Sequence, residues 1–505
     1  MNVAMLLEMA ADTFPDRVAV SCEGADLTFA ELLSLARGAA HLFAEFGAAH
    51  VAYLDINTLS APVALFGAAM AGKPYAPLNY RLTKSELGEL LVRVTPGVLI
   101  GGSDCMSGLS IPSDMRVIET TDFLRQARGS SSDPIDGEVD ASAVAVELFT
   151  SGTTGKPKAA VLRHEHLTAY ILGAVEFGSG EENEAAILTV PPYHIAGIAA
   201  VLSAAYAARR TIQLPNFDPA EWLRLARAHN VTNAFLAPTM LGRIVSHLDA
   251  AGAAPEVPSL RAIAYGGGKM PISTIVRAMA MFPDVAFANA YGLTETSSTI
   301  CLLSPEDHRT AANAADPGVR ARLASAGRPL PSVELEIRDE AGAPLGAGAA
   351  GFVFVRGPQV SGEYRGLGSM LDAEGWFPTR DRGWVDAEGY LFLDGRADDV
   401  IVRGGENISP GEIEDVLLEH PAVADAAVAA APDEQWGEAV AAAVVLHKGA
   451  SASVEDLQAW AKVRLRSSRV PQIVEFWPEL PYNETGKVLR RVIRQRLAEQ
   501  YGHGN

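Results

Sequence analysis

The stretch that most constrains the fold is Thr-Ser-Gly-Thr-Thr-Gly-Lys-Pro-Lys, residues 150–158. An apolar run at 143–149 precedes it and predicts a buried strand, and the segment 164–175 after it has helical spacing. Gly152 and Gly155 allow the backbone to approach an anion, while hydroxyls and two lysines add donors and charge. The stretch therefore predicts a loop that holds phosphate between a strand and a helix.

This phosphate loop, as we name residues 150–158, does not match the nucleotide-binding P-loop, G-x-x-x-x-G-K-[ST]. Only two residues separate Gly152 from Gly155, and Lys156 precedes Pro157 rather than a hydroxyl that could ligate magnesium. A Ras-like or kinase-like NTPase is therefore disfavoured. A surface turn remains an alternative, because glycine, serine, threonine and proline are also the usual turn residues.

The composition indicates an acidic globular protein with more than one domain. The 505 residues exceed what one core usually supports, and 48% hydrophobic with 20% charged residues is ordinary for a globular chain. A formal charge of −20 argues against a nucleic-acid partner, which would need a basic face. Attraction for a polyphosphate must then be local, from magnesium and a few placed lysines.

Cysteine usage and the first residues predict a cytoplasmic protein. Cys22, Cys105 and Cys301 are widely separated and odd in number, so they offer neither a disulfide framework nor a metal-ligand spacing. Residues 1–9 lack the basic region of a signal peptide. The most apolar run, 195–208, is shorter than a membrane span and predicts a buried helix instead.

Strand and helix patterns alternate along the first part of the chain and predict an α/β fold with parallel sheets. Three predicted strands end in loops at 191–194, 237–239 and 266–268. Ligands collect at the carboxyl ends of parallel strands, so we expect these loops to share a crevice with the phosphate loop. From about residue 332, shorter strands predict a small antiparallel β unit, and a turn-prone break at 395–399 precedes an α+β domain with two helices.

Further motifs follow the phosphate loop in order: Tyr-Gly-Leu-Thr-Glu at 291–295, Gly-Arg-Ala-Asp-Asp at 395–399, Gly-Gly-Glu-Asn-Ile at 404–408 and Glu-Thr-Gly-Lys at 484–487. This ordered set resembles the adenylate-forming superfamily of acyl-CoA synthetases, adenylation domains and firefly luciferase over essentially the whole chain. The resemblance implies that a carboxylate attacks the α-phosphate of ATP to give an acyl-adenylate and pyrophosphate. The C-terminal domain then rotates, and a thiol displaces AMP.

The resemblance implies an ATP site that uses Mg²⁺. Glu295 would ligate the metal, with Thr294 on a phosphate, while the hydroxyls and the last lysine of the phosphate loop would hold the β- and γ-phosphates. Tyr291 would stack on adenine, Asp381 would accept hydrogen bonds from the ribose hydroxyls and Arg396 would support the ribose. The full set implied for ATP or AMP is Thr150, Ser151, Gly152, Thr153, Thr154, Gly155, Lys158, Gly266, Gly267, Gly268, Asn289, Tyr291, Gly292, Asp381 and Arg396.

Lys487 is similar to the family's catalytic lysine, which reaches the α-phosphate in only one orientation of the C-terminal domain. The implied catalytic set is Lys487, His194, Thr294 and Glu295. By the same resemblance, residues 1–394 form an N-terminal domain that binds ATP and the acyl group, residues 395–400 form a hinge at Asp398, and residues 401–505 form a mobile domain that carries the lysine.

His194 lies in Pro-Pro-Tyr-His-Ile-Ala-Gly, residues 191–197, which resembles the segment that borders the acyl pocket in acyl-CoA synthetases. Relatives that activate amino acids commonly have an Asp in this segment, and its absence here favours a hydrophobic or aromatic acid. Coenzyme A is the preferred acceptor, because the chain resembles a free-standing synthetase. The residues assigned to the acyl or CoA channel are His194, Gly267, Gly404 and Gly405.

Two positions depart from the family pattern. Ala159 stands where a glycine usually ends the phosphate loop, and Arg380 stands where a glycine usually precedes the ribose-binding Asp381. Either the arginine strains a tight turn or it contacts phosphate. The alternatives to an acyl-CoA synthetase are a ligase that loads a carrier protein and a catalytically silent nucleotide- or acyl-binding protein. We expect a monomer or homodimer.

Overall fold

The computed structural model describes residues 1–135, 139–150, 157–396, 399–433, 435–482 and 488–501. The helices of these ranges are α1 (Ala4–Thr13), α2 (Phe29–Glu45), α3 (Ser60–Met70), α4 (Lys84–Arg93), α5 (Ser103–Met106), α6 (Thr120–Gly129), α7 (His164–Ala174), α8 (Ile195–Tyr206), α9 (Pro219–Ala228), α10 (Pro238–Ala251), α11 (Ile272–Met281), α12 (Pro305–Asn313), α13 (Pro317–Ala321), α14 (Pro410–Leu418), α15 (Val454–Arg464) and α16 (Arg490–Tyr501).

The strands of the same ranges are β1 (Val18–Cys22), β2 (Ala25–Thr28), β3 (His50–Leu54), β4 (Tyr75–Pro77), β5 (Gly97–Gly101), β6 (Met115–Glu119), β7 (Val144–Thr150), β8 (Lys158–Arg163), β9 (Ala185–Leu188), β10 (Arg210–Gln213), β11 (Asn233–Leu236), β12 (Ala262–Gly266), β13 (Ala286–Leu293), β14 (Ser298–Leu303), β15 (Arg328–Pro329), β16 (Glu334–Arg338), β17 (Gly351–Arg356), β18 (Glu363–Tyr364), β19 (Gly368–Ser369), β20 (Phe377–Val385), β21 (Leu391–Arg396), β22 (Ile401–Arg403), β23 (Glu406–Ile408), β24 (Val423–Asp433), β25 (Gly437–Leu446) and β26 (Ile473–Phe476).

A nine-stranded sheet holds the predicted parallel strands, in the order β15-β14-β13-β12-β11-β9-β10-β1-β2. The strands from β13 to β1 run parallel to their neighbours, and β2, β14 and β15 add antiparallel edges. Since β9, β11 and β12 are adjacent, the loops that follow them emerge at one edge. The prediction of a largely parallel α/β region is confirmed.

The phosphate loop belongs to a second sheet of eight strands, ordered β19-β18-β8-β7-β4-β3-β5-β6. It joins β7 to β8 as an antiparallel hairpin in which Thr150 pairs with Lys158. The predicted helix α7 does begin at His164, but the strand β8 between loop and helix was not predicted. Its buried residues 159–162 form a short apolar run, and periodicity alone does not distinguish such a run from the beginning of the helix that follows it.

The predicted buried helix 195–208 is confirmed as α8, from Ile195 to Tyr206. Its residues Ile198 and Leu202 share a hydrophobic cluster with Leu6 and Leu7 of α1. Among the helices that the structure describes, none is both long and apolar enough to cross a membrane.

The predicted antiparallel unit is a four-stranded sheet, β16-β17-β20-β21. Its strand β20 contains a bulge: Phe352 pairs with Arg382 and Phe354 with Pro378, so three residues of β20 face the single residue Val353. Bulges re-aim side chains, often next to functional sites. This one comprises Thr379, Arg380 and Asp381.

The C-terminal part has the predicted α+β character, with strands β22 to β26 in one sheet and helices α14, α15 and α16. The sequence predicted α14 and α15 but missed α16, in which only Ile493 and Leu497 are buried. One contact to the N-terminal part joins Nζ of Lys269 to Oδ2 of Asp415 at 2.7 Å. The loop after β12 is thereby tied to α14.

Candidate active site

Asp381 in the bulge of β20 is held by two side chains. Its Oδ1 is 3.0 Å from Nε of Arg396, and its Oδ2 accepts a hydrogen bond of 2.6 Å from the Tyr291 hydroxyl. Burial and then the Asp381 charge raise the pKa of Tyr291 well above its ordinary value, so the hydroxyl stays a donor. Burial alone would lower the pKa of Arg396, but Asp381, Tyr291 and Glu295 together outweigh it and raise the pKa, so the guanidinium stays charged. The predicted ribose residues are therefore in contact.

Glu295 and Lys158 come together around the ring of Tyr364. Glu295 lies in the short 3₁₀ turn after β13 and is 9% exposed. It accepts a short hydrogen bond from the Tyr364 hydroxyl, and Nζ of Lys158 lies 5.6 Å from the centre of that ring. The predicted metal ligand and the last lysine of the phosphate loop thus approach each other from two different sheets.

The loop at residues 266–268 follows β12 and packs against β13. A Cβ on Gly266 would lie 2.2 Å from the carbonyl oxygen of Ala290, so only glycine permits this approach. Next to it, Asn289 donates a hydrogen bond of 2.9 Å to the carbonyl oxygen of Ser325. The side-chain amide of Asn289 is therefore bonded within the protein. The loop 266–268 consists of glycines and presents only backbone atoms.

The three loops at the carboxyl edge of the nine-stranded sheet are contiguous. Thr189, which follows β9, donates a hydrogen bond of 2.9 Å to the carbonyl oxygen of Phe235 in β11. The ring of Phe235 in turn lies 3.5 Å from where a Cβ on Gly266 would stand. Thr189, Phe235 and Gly266 therefore lie beside one another at this edge of the sheet, and His194 follows Thr189 by five residues in the chain.

His194 precedes α8, and its backbone carbonyl accepts the amide of Gly197 at 2.9 Å. Its ring lies 4.6 Å from that of Tyr193, which makes an edge contact with Tyr80 at 5.4 Å. The Nε2 atom is buried and has no hydrogen-bond partner among the residues that the structure describes. Burial lowers the pKa of His194 to about 4, so the ring is neutral at pH 7. A neutral imidazole with a free nitrogen suits contact with an uncharged group.

Several predicted site residues lie outside the described part of the chain: Ser151, Gly152, Thr153, Thr154, Gly155, Asp398 and Lys487. The two ends of the phosphate loop are described, however. The Thr150 hydroxyl donates to the carbonyl oxygen of Lys158 at 3.4 Å, next to the buried Ala159. A side chain at the Ala159 position is thus accommodated within β8.

Arg380 is an exposed residue with φ of +63°, the left-handed region that favours glycine. It adopts this conformation because the bulge turns Asp381 inward, with Thr379 donating its hydroxyl to Val353 at 2.8 Å and accepting the amide of Asp381 at 3.1 Å. The sequence left two interpretations of Arg380, backbone strain in a tight turn or contact with phosphate. The positive φ of Arg380 corresponds to the first.

Gly404 and Gly405 form the turn between β22 and β23 in the C-terminal part. Gly404 has φ of +57°, and a Cβ there would lie 2.7 Å from the Trp436 ring, which is 42% exposed. The guanidinium of Arg403 lies 5.0 Å from the centre of the same ring. This predicted CoA-channel turn therefore carries a cation and an accessible aromatic surface.

Sequence reasoning missed the residues that connect the motifs. Tyr364 links Lys158 to Glu295 as described above, and Arg93 and Arg365 contact the ends of the phosphate loop. Arg365 also contacts the buried Glu147 at 2.9 Å. The available signal was Glu147, a charged residue within the apolar run 143–149 that predicts a buried strand. A buried carboxylate is almost always paired, so a partner was to be expected.

A family model described as AMP-binding enzyme matches residues 7–365, and one described as AMP-binding enzyme C-terminal domain matches residues 412–487. The chain is 32% identical to the fatty acid–[acyl-carrier-protein] ligase ScoC of Streptomyces coeruleorubidus, over 96% of this chain and 94% of that protein. It is 31% identical to a feruloyl-CoA synthase of an Amycolatopsis species, over 96% of each.

A similar solved structure is that of ATP-bound MatB from Rhodopseudomonas palustris, with a TM-score of 0.87 and 27% sequence identity. The similarity covers 99% of this chain and 100% of that chain. It therefore extends through both the residues predicted to bind the nucleotide and the C-terminal part.

Proposed function

Since the chain belongs to the AMP-binding enzyme family, we propose that it activates a carboxylic acid with ATP as an acyl-adenylate and transfers the acyl group to coenzyme A. The observation that carries the proposal is Asp381 paired with both Tyr291 and Arg396, together with the buried Glu295, whose charge also raises the pKa of Arg396. An oriented carboxylate suits ribose hydroxyls, and a second buried carboxylate suits a metal shared with phosphates. The products would be acyl-CoA, AMP and pyrophosphate.

In the first half-reaction, this chain binds ATP and neutralises charge. We assign Asp381 and Arg396 to the ribose, Tyr291 to adenine, and Lys158 with the rest of the phosphate loop to the β- and γ-phosphates. Donors placed on the leaving pyrophosphate stabilise the charge that develops on it. We assign Lys487 to the α-phosphate, where a positive charge lowers the barrier to in-line attack.

Glu295 is the residue that we propose for Mg²⁺. Magnesium in nucleotide sites usually takes one or two carboxylates together with phosphates and waters. A buried carboxylate near Lys158 fits that donor set, and among the described residues no group of three or more His, Cys, Asp or Glu could hold a metal alone. A bound Mg²⁺ supplies further neutralisation of the phosphate oxygens.

For the second half-reaction we propose that the C-terminal domain, residues 401–505, turns about the hinge 395–400 relative to residues 1–394. Asp398 is the proposed pivot. The turn at Gly404 and Gly405 would then border the channel for the CoA thiol, which attacks the acyl carbonyl and releases AMP. The exposed Lys269–Asp415 pair is weak enough to break in such a motion, since surface ion pairs contribute about 0–1 kcal/mol.

We propose a hydrophobic or aromatic acid as the substrate. His194 is neutral at pH 7, and the segment 191–197 carries no carboxylate that could pair with an ammonium group. The similarity to a feruloyl-CoA synthase supports an aromatic acid. The similarity to ScoC, a fatty acid–[acyl-carrier-protein] ligase, supports a second candidate, in which the acceptor is a carrier-protein thiol.

Pyrophosphate exchange over a panel of aromatic, fatty and amino acids tests the proposal, followed by thioester assays with CoA and with a phosphopantetheinylated carrier protein. We expect exchange with an aromatic or aliphatic acid and thioester formation with CoA. Thioester formation with the carrier alone would establish the second candidate. Absence of exchange with every acid would refute acid activation and favour a silent nucleotide-binding protein.

A further inference from the structure

Both ends of the phosphate loop are contacted by one side chain, that of Arg93 at the end of α4. Its guanidinium lies 5.0 Å from the ring centre of Phe149, just before the loop. Its Nη1 donates a hydrogen bond of 2.7 Å to the carbonyl oxygen of Pro157, near the loop's end. A single arginine therefore spans the two strands from which the loop projects.

The backbone of Arg93 is itself held by a second arginine, Arg365. Arg365 donates from Nη1 to the carbonyl oxygen of Arg93 at 3.1 Å, to Glu147 at 2.9 Å and contacts Nε2 of His50 at 2.9 Å. The Arg365 amide donates to Ala159 at 2.9 Å. Burial alone would raise the pKa of Glu147, but His50 and Arg365 outweigh it, and the pKa lies below its ordinary value. The carboxylate therefore stays charged and anchors the arginine.

The bond to Pro157 orients the peptide that leads into Lys158. The carbonyl of Pro157 and the amide of Lys158 share one plane, so fixing the carbonyl restricts the backbone from which the lysine projects. Lys158 is the residue whose Nζ lies over the ring of Tyr364, and the hydroxyl of Tyr364 donates to Glu295. The sequence of the loop also contains two glycines, a residue type whose backbone is conformationally permissive.

We propose that Arg93 is a positioning residue for the β- and γ-phosphates of ATP, acting through Pro157 and Lys158 without touching the nucleotide. The proposal rests on the proposed function, in which this loop holds those two phosphates. AMP and acyl-adenylates lack both groups. Loss of Arg93 must therefore weaken ATP and pyrophosphate binding and leave the binding of AMP unchanged, which a general loss of stability would not do.

The test measures binding of MgATP and of AMP by calorimetry, with the Km values for ATP and for acid in pyrophosphate exchange, in Arg93→Ala and Arg93→Lys. Arg116→Ala is the matched control, since Arg116 lies 5.1 Å from the ring centre of Phe46, away from the loop. We expect Arg93→Ala to weaken MgATP binding at least about tenfold, as for loss of a charge-assisted hydrogen bond. Its AMP affinity and acid Km should stay within about twofold of wild type.

Arg93→Lys keeps the charge but not the two-point contact, and it should lie between wild type and Arg93→Ala. Equal weakening of ATP and AMP, or no weakening of either, would overturn the inference. So would the same ATP-specific loss in Arg116→Ala. A wild-type protein that binds MgATP but exchanges no pyrophosphate with any acid would refute the proposed function instead, and the binding comparison would still decide the role of Arg93.

Discussion

Tyr291 and Asp381 form a hydrogen bond of 2.6 Å that joins the nine-stranded sheet to the small antiparallel sheet. Asp381 also contacts Arg396, so its carboxylate is oriented from two directions. Because the pKa of Tyr291 is raised far above neutrality by burial and by Asp381, the bond persists across the working pH range. Orientation of Asp381, the proposed ribose-binding group, thus depends on a residue that was predicted only to stack on adenine.

Tyr291→Phe removes this bond while keeping the ring. We expect the Km for ATP in pyrophosphate exchange to rise about tenfold, since a hydrogen bond to a charged group contributes about 1.5–3 kcal/mol. The matched control is Tyr390→Phe, because the Tyr390 hydroxyl makes the same bond of 2.6 Å to Asp307 outside the site. Both variants should lose a similar amount of stability, and an equal effect on the Km for ATP would contradict the role of Tyr291.

Arg380→Gly relieves a left-handed residue in the bulge beside Asp381. We expect the free energy of unfolding to increase by up to about 1 kcal/mol, with the Km for ATP unchanged or lower. Arg380→Ala is the control, because it removes the charge and keeps the Cβ that is strained at positive φ. Urea unfolding and pyrophosphate exchange on both variants measure these effects. A large fall in ATP affinity for both would establish instead that the arginine binds the nucleotide.

The alternation of strands and helices, the small antiparallel unit and the family could all be predicted from the sequence. Buried parallel strands such as β3 and β11 give compact apolar runs, and the ordered motifs carry their own chemistry. Family membership, inferred from those motifs, is confirmed by the matching family models. Residue roles remain predictions, because they concern a bound nucleotide.

Other features depend on contacts between distant parts of the chain, and no local pattern contains them. Arg365 meets Glu147 across 218 positions of sequence, and Tyr364 meets Glu295 across 69. Helix α16 was missed because two apolar contacts, Ile493 and Leu497, are too few to give a helical stripe. The hairpin at the phosphate loop was missed because the apolar run of β8 is short and directly precedes a helix, so periodicity does not separate the two.

His194 should make stability depend on pH in a defined window. Its pKa is lowered by burial from 6.5 to about 4, so the unfolded chain binds the proton more tightly than the folded one. The contribution of neutral His194 to the free energy of unfolding is complete above pH 6.5. It is lost as the pH falls toward 4, by about 3 kcal/mol at most. Urea unfolding of His194→Gln should show a correspondingly smaller loss than wild type between pH 6.5 and 4.

His164 is the matched comparison for His194. Burial also lowers its pKa to about 4, and it lies in the hydrophobic region at α1, where it accepts the Val3 amide at 3.4 Å. His164→Gln should therefore flatten the same part of the stability profile while leaving the Km for the acid unchanged. His194→Gln should raise that Km. Identical kinetics for the two variants would contradict the assignment of His194 to the acyl side.

Lys487→Ala tests the division of labour between the two half-reactions. Removing a positive charge from the α-phosphate should slow acyl-adenylate formation by about 10²–10³-fold, the cost of losing one such group. Transfer to CoA from a supplied acyl-adenylate should stay within about threefold of wild type, because the carboxyl group is already activated. Lys448→Ala, an exposed lysine of the same domain, is the control and should change neither rate. Equal loss of both half-reactions in Lys487→Ala would mean that the lysine acts in both steps and that domain rotation does not separate them.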